Sequence, residues 1–263
     1  MDYETILYEV DEDHVATVTL NRPDKLNSFN QAMRSDFKLV WREVQDDVEV
    51  HCVLLQAAGE RAFSSGIDVV ERAQRMAEEP EPNPWSFEDP GVSLGPKANL
   101  CWKPVVCAVH GMAAGGAFYW INESDIVICS EDATFFDPHV SFGMTSSLEP
   151  AGLRWRIPLG EVLRWALMGL DERMSAERAF QIGLVSEVVP ASELRDRAHE
   201  IAASIAAKPT LATQGTVKAI WQSLDMNRTT ATQLGVQFVQ IGNPLAEGDV
   251  DRANPPRPEP RIR

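Results

Sequence analysis

The apolar positions of this chain change period several times, and each change marks an element. Thr5 to Glu9 and His14 to Leu20 flank the acidic turn Asp11-Glu12-Asp13 and are predicted to pair as a hairpin. Arg22-Pro23-Asp24 ends the second strand, because proline cannot continue a ladder. Asn30 is a candidate N-cap for a helix from Gln31 to about Gln45, in which Met33, Phe37, Val40, Trp41 and Val44 form one apolar stripe. Cys52 to Ala57 is a short apolar strand, and Asp68 to Glu79 is helical and highly charged. The segment from Pro80 to Gly91 holds Pro82, Pro84 and Pro90 as well, so it is expected to be irregular: a mobile loop, or a lid in which Trp85 and Phe87 pack on something apolar. A short helix is expected from Ser93 to Trp102, stopped by Lys103-Pro104.

The centre of the chain is Val105 to Asp125. Val105-Val106-Cys107-Ala108-Val109 has the length and β-branching of a buried strand. The chain turns at His110-Gly111, meets Gly115-Gly116, and continues as the apolar helix Ala117-Phe118-Tyr119-Trp120-Ile121. Further on, Asp125 to Ser130 reads as a strand, Thr134-Phe135-Phe136-Asp137-Pro138 as the end of another, and Leu148 to Trp155 and Glu161 to Met168 as helices. Ser175 caps a helix to Gln181, which Gly183 stops. Val185 to Val189 is the last strand. Helices are expected at Ser192 to Ala206, Thr210 to Leu224 and Thr229 to Val239, and the proline-rich tail is expected to be disordered. This alternation is an α/β pattern. Residues 1–200 form the core, 201–253 a helical region, and 254–263 the tail.

Two of these turns have the same chemistry. Gly66, after Ala62-Phe63-Ser64-Ser65, and the pair Gly115-Gly116 each follow a strand and precede a helix. Without a Cβ, backbone comes close to a ligand, and N–H groups of the first helical turn point at it. Two such turns can offer one N–H each to a single oxygen. That is an oxyanion hole, in which loss of one donor typically costs about 10²–10³ in rate. Close helix–sheet packing is the plain alternative for either glycine.

Composition narrows the partners. A formal net charge of −15 with no basic run argues against a nucleic-acid binder. It also means that an anionic ligand must rely on local positive groups. Cys52, Cys101, Cys107 and Cys129 lack metal or redox spacing and are expected to be buried free thiols. No apolar run approaches the ~20 residues of a membrane span, and a reduced, cytoplasmic setting is expected.

Four segments, in order, resemble the enoyl-CoA hydratase/isomerase (crotonase) family: Asn21-Arg22-Pro23-Asp24-Lys25-Leu26-Asn27-Ser28-Phe29, Ala62 to Asp68, His110 to Gly116, and Met174 to Val185. The resemblance spans about Ile6 to Leu224. It implies a crotonase-like spiral of ββα units. The C-terminal helical region would drive a homotrimer or hexamer. It implies binding of an acyl-CoA thioester, with coenzyme A as part of the substrate and no separate cofactor or metal. The hole donors would be the N–H groups of Ile67 and Gly116. The coenzyme would lie on Ser65, Ile67 and Val69, with Leu26 beside it and Lys25, together with Arg22, near phosphate. The lysine that members often carry at position 70 is Val70 here.

The same resemblance exposes a departure. Hydratases of the family use two glutamates to hold and activate water. The first position is Tyr119, three residues after Gly116; the second, after Phe-x-x-Pro, is His139. Both glutamates are replaced. Glu149, at the start of a later helix, is a candidate substitute, and Glu123, one turn after Tyr119, is expected to be structural. The expectation is an enzyme acting through an enolate-type oxyanion with His139, Glu149 and Tyr119 as acid/base set. The rivals are a non-catalytic acyl-CoA binder and a structural oligomer without a coenzyme site. Trp85, Phe87, Phe118, Tyr119 and Phe142 are candidates to line the acyl pocket.

Overall fold

The computed structural model describes residues 2–78, 85, 88–253, 255–256 and 259–262. The strands form two sheets. The larger has the order β1 (Ile6–Val10), β2 (Val15–Leu20), β3 (Cys52–Ala57), β5 (Val105–Val109), β7 (Ile126–Ser130) and β10 (Glu187–Val189). Only the β1/β2 hairpin is antiparallel, with Ile6 opposite Leu20; every other pair is parallel. The smaller sheet runs β4 (Ala62–Ser64), β6 (Met112–Ala114), β8 (Thr134–Phe136) and β9 (Met174–Ser175).

Chain order makes this a spiral. β3, β4 and α2 (Val69–Glu78) form one turn. β5, β6 and α4 (Phe118–Glu123) form the next, and β7, β8 and α5 (Leu148–Leu153) the third. Each turn lays its first strand in the large sheet and its second in the small one. The mixed α/β fold and the spiral of ββα units expected from the sequence are present.

The apolar runs of β3 and β5 are continuous because both faces of the large sheet are covered. Val53 and Leu55 face the main core with α1 (Gln31–Asp46). Cys52 and Leu54 face the other way, onto Leu194, Ala198 and Ala202 of α8 (Leu194–Ala206). β5 alternates likewise, with Val105 and Cys107 on one side and Val106 and Ala108 on the other. All four cysteines are buried and free. The stripe read in α1 is the buried one, and the Asn30 side chain accepts from the Met33 N–H, 2.9 Å away, as N-cap. Ser175 caps α7 (Ala176–Gln181) in the same way. Helix α6 is Leu159–Leu167.

The structure corrects several expectations. The helix expected over Ser93 to Trp102 is only α3, Gly91–Leu94. Pro96 forces Gly95 into extended backbone (ψ 142°), and the freed N–H groups of Lys97 and Ala98 donate to the Glu123 carboxylate at 2.7 and 2.9 Å. Strands β4, β6 and β9 of the small sheet were not foreseen, because strands of two or three residues carry no period. The final helices are α9 (Thr210–Ser223) and α10, which runs further than expected, Arg228–Leu245. Neither buries any residue in this chain. The suggested lid falls largely on 79–84 and 86–87, outside the described residues, as do Asn254, Arg257, Pro258 and Arg263 of the tail. No described helix is long and apolar enough to cross a membrane.

Candidate active site

The spiral stacks β4 beside β6, so the turns that leave them meet. Gly66 has φ +87°, and a Cβ there would lie 2.9 Å from both the Ala114 carbonyl oxygen and the Gly116 nitrogen. The two turns are therefore in backbone contact, and only glycine fits. A short parallel bridge fixes the first turn: Phe29 N–H donates to the Gly66 carbonyl and Asp68 N–H to the Phe29 carbonyl, both at 2.8 Å. That bridge passes over the Ile67 N–H. Gly116 lies in the first turn of the 3-10 helix Gly115–Ala117, where an N–H has no partner within the helix. Its other face is closed by Phe29, whose Cε1 would be 2.5 Å from a Cβ.

Both turns open on a cavity of about 900 Å³. This is the size of a small-molecule site. Ile67, Gly115 and Gly116 line it, as do Tyr119, His139 and Glu149. The three acid/base candidates, scattered over 31 positions of sequence, thus share one cavity with the two candidate donors. Phe142, Met144 and Leu148 supply an apolar wall.

His139 is held from behind. Its Nδ1 contacts the Asp137 carboxylate, its N–H donates to the same oxygen at 3.2 Å, and Ser146 Oγ donates to the other carboxylate oxygen. The Asp137 side chain is fully buried. This partner keeps a proton on Nδ1 and leaves Nε2 to act. A Cβ on Gly115 would be 3.6 Å from His139 Cε1, so the ring stands against the glycine turn. Hydrogen bonding to Asp137 is the main force raising the imidazole pKa, and it outweighs burial.

Glu149 is only 5% exposed although it opens α5, and burial raises its carboxyl pKa. Tyr119 is buried, and burial, with the Glu149 and Asp89 carboxylates beside it, pushes its phenol far up. It is an O–H donor and not a base. Glu123 is half-buried, and its carboxylate accepts from the Lys97 and Ala98 N–H groups, as the structural partner it was expected to be.

The coenzyme candidates divide. Ser65, Ile67 and Val69 line the cavity. Lys25 is exposed in the 3-10 turn Pro23–Lys25, and neither it nor Leu26 lines the cavity; Leu26 touches the site only through its carbonyl, which accepts from the Ser65 N–H at 3.0 Å. Arg22 is engaged elsewhere, pairing with Asp68 at 3.0 Å and donating to the Ser28 carbonyl at 2.6 Å. Asp68 also caps α2 through the Glu71 N–H, at 3.1 Å. Of the aromatic candidates, Tyr119 and Phe142 line the cavity. Phe118 does not: it packs in the core on Phe135 and Trp165. Trp85 is 93% exposed and off the cavity, and Phe87 lies outside the described residues.

Sequence reasoning missed Asp137 and Ser146, and the arginines Arg34, Arg72 and Arg75 that line the cavity. The Asp-Pro-His spacing was a usable sign for the first. The three-residue spacing of Arg72 and Arg75 on one helix face was a usable sign for the second.

The chain is similar to known proteins in sequence and fold. The enoyl-CoA hydratase/isomerase family model matches residues 11–242. An enoyl-CoA hydratase/isomerase from Mycobacterium paratuberculosis shares 39% identity, and its crystal structure superposes with a TM-score of 0.81 over 94% of each chain. The (E)-benzylidenesuccinyl-CoA hydratase of Thauera aromatica is 33% identical over 217 residues, 81% of each chain. The 1,2-epoxyphenylacetyl-CoA isomerase of Escherichia coli is 33% identical over 236 residues, 89% of this chain and 87% of that one. With the spiral, the paired glycine turns and these matches in agreement, the chain belongs to the enoyl-CoA hydratase/isomerase family.

Proposed function

We propose that this protein is an acyl-CoA enzyme in which Ile67 and Gly116 hold the thioester oxygen, His139 is the base and Glu149 the second proton carrier. The observation that carries this is the Asp137–His139 pair set against the Gly115 turn. The thioester carbonyl gains negative charge when a proton leaves a carbon conjugated to it, and preorganised N–H donors stabilise that charge. His139 Nε2 takes the proton. Return of a proton to another carbon, from His139 or from Glu149, completes a double-bond isomerisation. Addition of water across the double bond would use the same groups, with one activating water and the other protonating the α-carbon. Tyr119, beside the Glu149 and Asp89 carboxylates, is the O–H donor that would orient Glu149.

Ser65 and Val69 support a coenzyme path along the first turn, and Lys25 supplies its charge from the rim. The bare faces of α9 and α10, with Leu211, Ile220, Val236, Val239, Ile241 and Leu245 exposed, support assembly as a trimer or hexamer.

The test is turnover and binding of crotonyl-CoA and of longer and aromatic enoyl-CoA thioesters. His139→Ala is expected to lose about 10²–10⁴ of the turnover, and Glu149→Gln to lose turnover as well. Full turnover in both variants would sink the assignment. Tight binding of the whole panel without turnover would favour a non-catalytic acyl-CoA binder.

A further inference from the structure

We propose that the acyl group accepted by this site carries a carboxylate of its own, distal to the thioester and held by Arg72 and Arg75. This rests on the reading that the cavity binds an acyl-CoA with its carbonyl at Ile67 and Gly116. Helix α2 is a rim rather than a core element: Val69 and Val70 are each 64% exposed. Arg72 and Arg75 lie three residues apart on it, share a face, and line the cavity.

Several other charged groups of the cavity wall have partners. Asp68 pairs with Arg22 at 3.0 Å, and Arg34 pairs with Glu88 at 3.1 Å. The Glu71 carboxylate accepts from the Gln31 N–H at 3.2 Å. Among the described residues, neither Arg72 nor Arg75 has a carboxylate within ion-pair distance. Two guanidinium groups with no carboxylate partner among the described residues thus line this cavity, in a chain of net charge −15. Their planar donor forks suit a carboxylate or a phosphate.

Position chooses between these anions. Arg72 and Arg75 line the same cavity as His139 and Glu149, the reacting groups of the proposed mechanism. Phe142, Met144 and Leu148 give the same cavity an apolar wall. A short apolar acyl chain ending in a carboxylate satisfies both the wall and the arginines. The substrate class is therefore the CoA monothioester of a dicarboxylic acid.

The test is calorimetric binding of a length-matched saturated pair, hexanoyl-CoA and adipoyl-CoA, and of the corresponding N-acetylcysteamine thioesters, which have no phosphate. Neither pair needs turnover. The expected result is a preference of about 10- to 100-fold for the adipoyl member of each pair, in line with hydrogen bonds to a charged group. In Arg72→Gln and Arg75→Gln the ratio falls toward one through loss of adipoyl binding. An equal affinity of the wild-type protein for both members overturns the proposal. So does an equal weakening of both CoA thioesters in the variants with no effect on the phosphate-free pair, which would assign the arginines to coenzyme phosphate. If no CoA thioester binds at all, the acyl-CoA reading itself fails, and this proposal with it.

Discussion

At the scale of the residue, the proposed chemistry turns on one buried carboxylate, Asp137. Asp137 is the largest cause of the raised pKa of His139. A base works only in its neutral form, so the rate is expected to rise with pH through a value above the ordinary imidazole pKa of about 6.5. In Asp137→Asn that cause is gone. The acid limb of the kcat/KM profile should move to lower pH while kcat falls; an unmoved limb would remove His139 from the role of base. Stability follows the same linkage. A raised folded-state pKa gives stabilisation that is complete below about pH 6.5 and lost as pH rises through the raised value. Asp137→Asn should flatten that dependence in thermal melts. Gly116 is the second sensitive position. A methyl group there meets Phe29 Cε1 at 2.5 Å, so Gly116→Ala must displace the turn and its N–H. A loss of about 10²–10³ in kcat is expected with circular dichroism unchanged. Retained kcat would show that this N–H is not a donor in the reaction.

At the scale of the element, helix α1 connects fold to site. Its buried stripe anchors it to the large sheet, while Asn30, Gln31 and Arg34 in its first turn line the cavity. Asn30→Ala removes the N-cap and should cost about 1 kcal/mol of stability, read as a lower midpoint in urea. A change below a few tenths of that figure would mean that the bridge at Phe29 alone fixes the helix start. This helix was legible because five apolar residues repeat at helical spacing and a cap precedes them. Strands β4, β6 and β9 were not legible. They are two or three residues long, and their pairing depends on neighbours distant in sequence. Yet β4 and β6 are the strands that bring the two glycine turns together.

At the scale of the whole molecule, the C-terminal helices set the expectation. Helices α9 and α10 pack on each other and leave Val236, Val239, Ile241 and Leu245 exposed. Apolar surface of this extent on adjacent helices supports the proposed assembly. Light scattering in solution is expected to give a mass three or six times that of the 29.2 kDa chain. Val239→Lys, which places a charge on that face, should lower it. A monomeric wild-type protein would refute the assembly and leave the helices to another partner.

The sequence by itself determined the α/β class, the α1 stripe and its cap, the buried strands β3 and β5, and the glycine positions that backbone contact demands. Each is a local property: a period, a cap, or a residue without a Cβ. The four motifs in order also determined the family resemblance. Only the tertiary structure decided that Tyr119, His139 and Glu149 share a cavity, that Phe118 belongs to the core, and that Arg22 is tied to Asp68. It alone showed Asp137 behind His139, and Arg72 and Arg75 lining the cavity with no carboxylate partner among the described residues. These are relations between side chains far apart in the chain. Burial and pairing, which set charge state and pKa, exist only once the spiral has brought them together.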